Sequence, residues 1–222
     1  MKFVLAIALI FSSLVLAHGQ GGNEQSPIVE KDFAYKDWTY KNVQTGVDVG
    51  LRTSTAGKKL VMVVYFAPWC PNWKHDVRFV QSMYDKYKAD GLDVIGVGEY
   101  DPVDSMKAHI AEYKLKFPVV WESDARTAKQ TTSHYEYRKS AGDTRSWGSP
   151  WYIFLEVSKL ETGAPVIAKR APVVNGELVQ PEAEKFIREK LGFKPEGTVG
   201  LTKPAAIEAC EPDKKAAVPG KP

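Results

Sequence analysis

Cysteine is what this chain of 222 residues has least of: Cys70 and Cys210 are the only two. No second cysteine stands near Cys70, which excludes a local dithiol. There are four histidines, and the pairs Cys70/His75 and His109/His134 show none of the recognised ligand spacings, so no metal or other cofactor is expected. No block of Lys or Arg interrupts the sequence. The net charge of +3 is small and spread along the chain, which leaves nucleic acid out of the expected partners. A phosphate-binding glycine loop and a nucleophile elbow are both missing, as is any internal repeat.

Long apolar runs are also scarce. The only one that addresses a membrane is Phe3–Leu16, and it falls short of the roughly 20 residues a span requires. Lys2 precedes it, and Val15 and Ala17 satisfy the small-residue cleavage rule, so residues 1–19 read as a secretory leader cut after Ala17, with Gly19 as the second choice. No cysteine follows the run, which argues against a lipid anchor. The mature chain is expected to be exported, periplasmic or extracellular, without a membrane span, in a compartment where disulfides persist.

What is present is an ordinary globular composition, 44% apolar and 26% charged, enough for one domain with a sizeable core plus extensions. Residues 20–32 are polar and Gly-rich and read as a flexible arm. Residues 33–49 suggest one or two short strands. Thr53–Lys59 reads as a turn. Leu60–Phe66 is continuously apolar and valine-rich, as a strand covered on both faces should be. After Cys70, the residues Trp73, Val77, Val80, Tyr84 and Tyr87 fall on one stripe of a helix that Gly91 ends. Leu92–Val97 is the next strand, Asp104 or Ser105 caps a helix to about Lys116, Phe117–Trp121 is a strand, and Ala125–Lys139 is helical. A polar loop, Ser140–Ser149, leads to strands at Trp151–Val157 and Val166–Val174, turned at Glu161–Gly163. Pro181 opens a last helix that closes at Gly192. The order alternates strand and helix and finishes on a hairpin. It predicts an α/β fold with a central mixed, mostly parallel sheet flanked by helices and an N-terminal strand extension. Residues 33–193 form the expected domain, and 194–222, rich in Pro, Ala and Lys, a flexible tail that carries Cys210.

The chain turns on Phe66-Ala67-Pro68-Trp69-Cys70-Pro71-Asn72-Trp73-Lys74-His75-Asp76. A strand that ends in Trp-Cys-Pro and opens a helix resembles the active-site corner of the thioredoxin-like superfamily, in particular the TlpA/ResA type of redoxin (AhpC/TSA-like), which are envelope thiol-disulfide oxidoreductases. Those proteins carry Cys-Pro-x-Cys at this place. Here Trp73 stands where the second cysteine belongs.

Cys70 is the candidate nucleophile. At a helix mouth the macrodipole and unpaired N–H groups favour thiolate, the reactive form, and Lys74 one turn on adds positive charge. The alternative is a buried, inert cysteine. Trp73 lies on the apolar stripe and packs in the core, and beside the thiol it also shapes a groove. The resemblance assigns Trp69, Pro71, Ser149 and Pro150 to that substrate groove, with a cis bond before Pro150 facing Cys70, Ser149 pairing with a bound chain and Trp147 flanking. It also gives Asp76, the sixth residue after Cys70, a part in proton transfer; the other reading of Asp76 is a solvated helix acid. His75 reads as a surface histidine.

Three functions remain open. The first is a thiol-disulfide oxidoreductase acting through a single cysteine on protein or small-molecule thiols and disulfides, in need of an external thiol because Trp73 cannot resolve the mixed disulfide. The second is a one-cysteine peroxidase; peroxiredoxins share the fold but carry Thr or Ser where Ala67 stands. The third is a catalytically degenerate binding module. Cys70 and Cys210 can form a tail disulfide, with an intermolecular link or two free thiols as the other outcomes.

Overall fold

The computed structural model describes residues 24–163 and 165–194. The leader, the first residues of the arm, and the tail with Cys210 lie outside them. Ten strands are present among the described residues: β1 (Gln25–Ser26), β2 (Val29–Lys36), β3 (Thr39–Asn42), β4 (Asp48–Gly50), β5 (Leu60–Phe66), β6 (Leu92–Gly98), β7 (Val119–Trp121), β8 (Trp151–Glu156), β9 (Val166–Val174) and β10 (Glu177–Leu178). The helices are α1 (Leu51–Ser54), α2 (Pro71–Tyr87), α3 (Val103–Tyr113), α4 (Ser133–Ser140) and α5 (Gln180–Leu191).

Eight strands form one sheet in the order β2-β9-β8-β5-β6-β7-β3-β4, and β1 pairs with β10 beside it. Only β5–β6 and β6–β7 run parallel. Every other pairing in the large sheet is antiparallel, so the sheet is mixed and not mostly parallel. The reason is chain length. The two helical crossovers return β6 and β7 in the direction of β5, β8 comes back antiparallel beside β5 after the long connection that holds α4, and the remaining neighbours are brought alongside by hairpins or by the N-terminal strands.

Those N-terminal strands also correct the expected arm. From Gln25 the chain is strand, and Val29–Lys36 zips along β9, with Phe33 and Tyr35 buried beneath it. The alternating exposure of β2 hides its apolar positions among charges, which is why it read as polar. The helix expected over Ala125–Lys139 is a single 3₁₀ turn at Arg126–Ala128 followed by α4, whose N-cap Thr132 accepts a bond from the Tyr135 N–H. Thr132 ends the earlier segment because its side chain competes for the backbone. Part of the expected turn at Thr53–Lys59 belongs to α1.

β5 sits at the centre, and all seven of its residues are buried. One face of the sheet packs against α2, α3 and α5 through Trp73, Val77, Met106, Ile110 and Ile187. The other buries Tyr65, Ile95 and Trp151 with Phe33, Tyr35, Leu51 and Tyr137. Gly98 is required where α3 crosses β6, since a Cβ there would press into the Met106 side chain. These layers carry the C-terminal ends of β5 and β6 to one edge of the molecule, together with the N-termini of α2 and β8.

Candidate functional site

β5 ends at Phe66, and the Cys70 N–H closes a turn on the Ala67 carbonyl at 2.9 Å. Cys70 then serves as N-cap of α2 with extended backbone angles, and Pro71 takes the first helical position, where its missing N–H costs nothing. The thiol caps no helix N–H. Cys70 Sγ instead donates to the Ser149 carbonyl oxygen at 3.1 Å, and the residue is only 6% exposed. The Ser149 hydroxyl accepts the Ala67 N–H at 2.9 Å, and the Ser149–Pro150 bond is cis. Thus two segments some eighty positions apart are laced together on both sides of the thiol.

The Ser149 segment is held by charges that the sequence did not advertise. Arg138 is fully buried in α4; its guanidinium donates to the carbonyls of Arg145 (2.7 Å) and Ser146 (3.0 Å) and lies 3.8 Å from the buried Asp143 carboxylate. Arg145 pairs with Asp143 at 2.9 Å and donates to the Pro150 carbonyl at 2.8 Å. Its other nitrogen reaches the Ser149 carbonyl at 3.5 Å, a long contact to the same oxygen that Cys70 addresses. Gly148 has φ +64°, and a Cβ there would collide with Arg138. No periodic signal marks Arg138, Asp143 or Arg145; Gly148 before Ser-Pro is the one local cue.

Trp73, at the place of a second cysteine, is entirely buried. It stacks on Phe66 with ring centres 4.7 Å apart, and its indole N–H donates to His109 Nε2 at 2.8 Å. It has no surface to offer a groove, which corrects half of the expectation. An indole is donor-only and needs an acceptor when buried, and a neutral imidazole supplies one. Burial keeps His109 neutral, pushing its pKa down to about 4; Lys74 adds to the shift and Glu112 opposes it. Lys74 itself is exposed.

Asp76 has no exposure, which excludes the solvated-acid reading. Its Oδ2 accepts from the Tyr152 hydroxyl at 2.7 Å and the Leu178 N–H at 2.8 Å, and its Oδ1 lies 3.2 Å from His75 Nδ1. Burial raises its pKa above the usual carboxylate value, against the opposing pull of those three partners. A second carboxylate, Glu177, is buried close by and raised chiefly by desolvation. One of its oxygens stands 3.4 Å from His75 Nδ1, at ion-pair distance but without hydrogen-bond alignment. His75 is therefore no plain surface residue. At 41% exposure it lids two buried acids. The hydrogen bonds of Asp76 go to Tyr152, Leu178 and His75 rather than to Cys70.

Around the thiol, Trp69 and Trp147 are half-buried and meet edge to face at 5.2 Å. The Trp69 N–H reaches the carbonyl of Tyr100 at 3.4 Å. Tyr100 has φ +61° and a hydroxyl 2.9 Å from His134 Nδ1. Pro71 is exposed at the helix mouth. Among the described residues no cluster of three or more His, Cys, Asp or Glu is placed to hold a metal.

The AhpC/TSA family model matches residues 31–144, just over half of the chain. The chain belongs to the AhpC/TSA family. Within that family it is similar to the thiol-disulfide oxidoreductase ResA of Oceanobacillus iheyensis, 25% identical over 114 residues, which cover 51% of this chain and 59% of that protein. The chain thus spans about half the length of the curated relatives it matches, 59% of this one and 44% of the ResA of Bacillus cereus. Among solved structures it resembles a thiol:disulfide interchange protein of Chlorobium tepidum (TM-score 0.51, 15% identity, 73% of this chain and 98% of the other). It also resembles a DsbF homologue of Corynebacterium diphtheriae (TM-score 0.52, 14% identity, 78% and 96%). At these identities the likeness establishes the thioredoxin-like fold. No helix among the described residues is long and apolar enough to cross a membrane.

Proposed function

We propose that this AhpC/TSA-family chain is an exported thiol-disulfide oxidoreductase that works through one cysteine. The observation that carries the reading is the thiol of Cys70 at the mouth of α2, 3.1 Å from the Ser149 carbonyl beside cis-Pro150. Its proton is assigned to Asp76, whose carboxyl is raised by burial and is hydrogen-bonded to the half-exposed His75. The thiolate attacks one sulfur of a substrate disulfide. A new S–S bond to Cys70 forms, the substrate S–S bond breaks, and the departing thiolate takes up the proton. A dithiol site would then release the substrate by internal attack, but Trp73 has no sulfur and is sealed in the core. A second, external thiol attacks the substrate sulfur of the mixed disulfide; a new S–S bond joins that thiol to the substrate, the bond to Cys70 breaks, and Cys70 departs as the thiolate. Ala67 offers no hydroxyl to orient a peroxide, and its N–H is already bonded to Ser149, which disfavours the peroxidase reading. The leader at residues 1–19 belongs to the same proposal, together with a domain that starts ahead of residue 33 because β1 and β2 join it.

The test is mass spectrometry of the protein treated with the small neutral disulfide hydroxyethyl disulfide. Wild type should gain one mixed disulfide at Cys70, released by added monothiol, and Cys70→Ser should gain none there. Trp73→Cys should convert the site into one that reduces insulin with no added monothiol. An unmodified Cys70 in folded wild type would end the oxidoreductase reading.

A further inference from the structure

Two cations over the indoles that flank Cys70 have no acid to answer them among the described residues. The Arg126 guanidinium lies 4.6 Å over the ring of Trp69, and the Lys129 ammonium lies 4.5 Å over the ring of Trp147. Lys129 has one further polar contact, the Ser146 hydroxyl at 3.4 Å. Neither has a carboxylate partner among the described residues. Elsewhere in the protein other basic side chains do meet acids, as Lys41 does with Asp48, Lys86 with Glu184 and Arg170 with Asp32.

The placement of this pair is what gives it meaning. Trp69 is joined to Cys70 by a peptide bond, and Trp147 stands two residues before Ser149, whose carbonyl receives the Cys70 thiol. The two indoles touch edge to face, so the segments that converge on the sulfur carry one shared aromatic ledge. Arg126 and Lys129 come from a third segment, the 3₁₀ turn between β7 and α4 and the residue that ends it. In such a turn residues three apart fall on the same side, so one short element sends both charges over both rings. A cation over an aromatic face is attracted by the ring quadrupole and is positioned there. Half-exposed tryptophans supply contact area for an extended chain, and arginine over an indole is a common interface anchor.

We infer that this ledge is a recognition surface for an acidic protein segment that carries the reacting cysteine, with Asp or Glu residues near that cysteine paired to Arg126 and Lys129. The inference deepens the proposed function by naming the substrate class, and it rests on that reading for the chemistry at Cys70. Two cations on separate rings call for at least two acids, and the ledge provides apolar surface for the side chains between them. Nearby charges of opposite sign raise the rate of encounter and select among partners more than they deepen affinity.

Three disulfide-activated peptides of one length distinguish the outcomes, with the cysteine flanked by acidic, neutral or basic residues. Hydroxyethyl disulfide serves as the uncharged reference. Cys70 should form the mixed disulfide fastest with the acidic peptide, and the advantage should shrink as salt rises. The double variant R126Q/K129Q should slow the acidic peptide by roughly three- to tenfold and leave the neutral reference unchanged. Equal rates for all three peptides, or no effect of the double variant on the acidic one, would overturn the inference. So would an equal dependence on Arg126 and Lys129 for the small tetraanionic disulfide of mercaptosuccinate, which would make the ledge a small-thiol site. Anisotropy of a labelled, cysteine-free acidic peptide reads docking without chemistry. If Cys70 proves inert toward every disulfide while this peptide binds in a manner that R126Q/K129Q abolishes, the oxidoreductase reading fails and the recognition surface stands.

Discussion

The corner that presents Cys70 and the loop that faces it achieve the same accuracy by different means. The corner, Phe66–Pro71, is built by regular backbone. A fully buried central strand ends, a turn closes on Ala67, and a helix begins at a proline. The loop 143–150 has no regular structure, and its shape is imposed from below by Arg138, Asp143 and Arg145. Backbone regularity tolerates change in any one side chain. A buried charge network does not, because removing one member leaves the others desolvated and unpaired.

The sharpest way to break the comparison is therefore on the loop side. Arg138→Met keeps much of the volume and removes the charge beneath the loop. It should cost about 3–5 kcal/mol of stability, as loss of one partner from a buried ion pair typically does, and it should slow mixed-disulfide formation at Cys70. Urea unfolding and the hydroxyethyl disulfide rate measure the two effects. A loss below about 1 kcal/mol, the scale of an exposed pair, would mean that the loop holds itself.

Acid tests the underside of the corner. His109 is kept neutral in the fold with a pKa near 4, against an ordinary value of 6.5. As pH falls below 6.5 the unfolded chain takes up this proton first, so the contribution of His109 to stability declines from there to about 4 and is flat below. The decline amounts to roughly 3 kcal/mol at most. His134, also held neutral by burial, acts in the same direction. Asp76, Glu99 and Glu177, all raised by burial, act in the opposite one, losing stability as pH rises through their folded pKa values. The readout is accordingly the difference between wild type and His109→Gln, which retains an acceptor for Trp73. Urea midpoints at pH 7 and pH 4 should converge for the variant relative to wild type. Parallel pH profiles would show that His109 titrates normally.

The smallest effect belongs to Trp73→Phe. The ring still stacks on Phe66, but His109 Nε2 loses its donor and a little volume is left empty, at a cost of about 1–3 kcal/mol. Thermal unfolding measures it. Because the backbone of the corner is untouched, Cys70 should react with hydroxyethyl disulfide at close to the wild-type rate. A large drop in that rate would show that the corner depends on its side chains as the loop does.

Much of this molecule was legible in one dimension wherever a pattern repeats locally. An unbroken valine-rich run bounded by turn residues reads as a strand covered on both faces, as β5 is, and both β5 and β9 occupy the very residues expected of them. The stripe through Trp73, Val77 and Val80 marks a helix with one buried side, and Trp-Cys-Pro places the thiol at its mouth. What sequence alone missed is distributed along the chain. β2 alternates buried with exposed positions because only one face is covered, and its first half, Val29 to Asp32, read as an arm. The sense of the sheet depends on which edges the N-terminal strands join, a choice made by long-range pairing. The burial of Asp76 comes from Tyr152 and Leu178, 76 and 102 positions away, and the purpose of Arg138 is set by carbonyls that a loop folds back to it. Local periodicity determines elements because their hydrogen bonds and apolar faces are short-range. The environment of a charge is determined only when the chain closes, because burial and partners exist only in three dimensions. The identity and position of Cys70 were therefore the sequence's own contribution, while the packing of Trp73 against His109, the lid of His75 on two acids and the two unanswered cations over Trp69 and Trp147 were decided by tertiary structure.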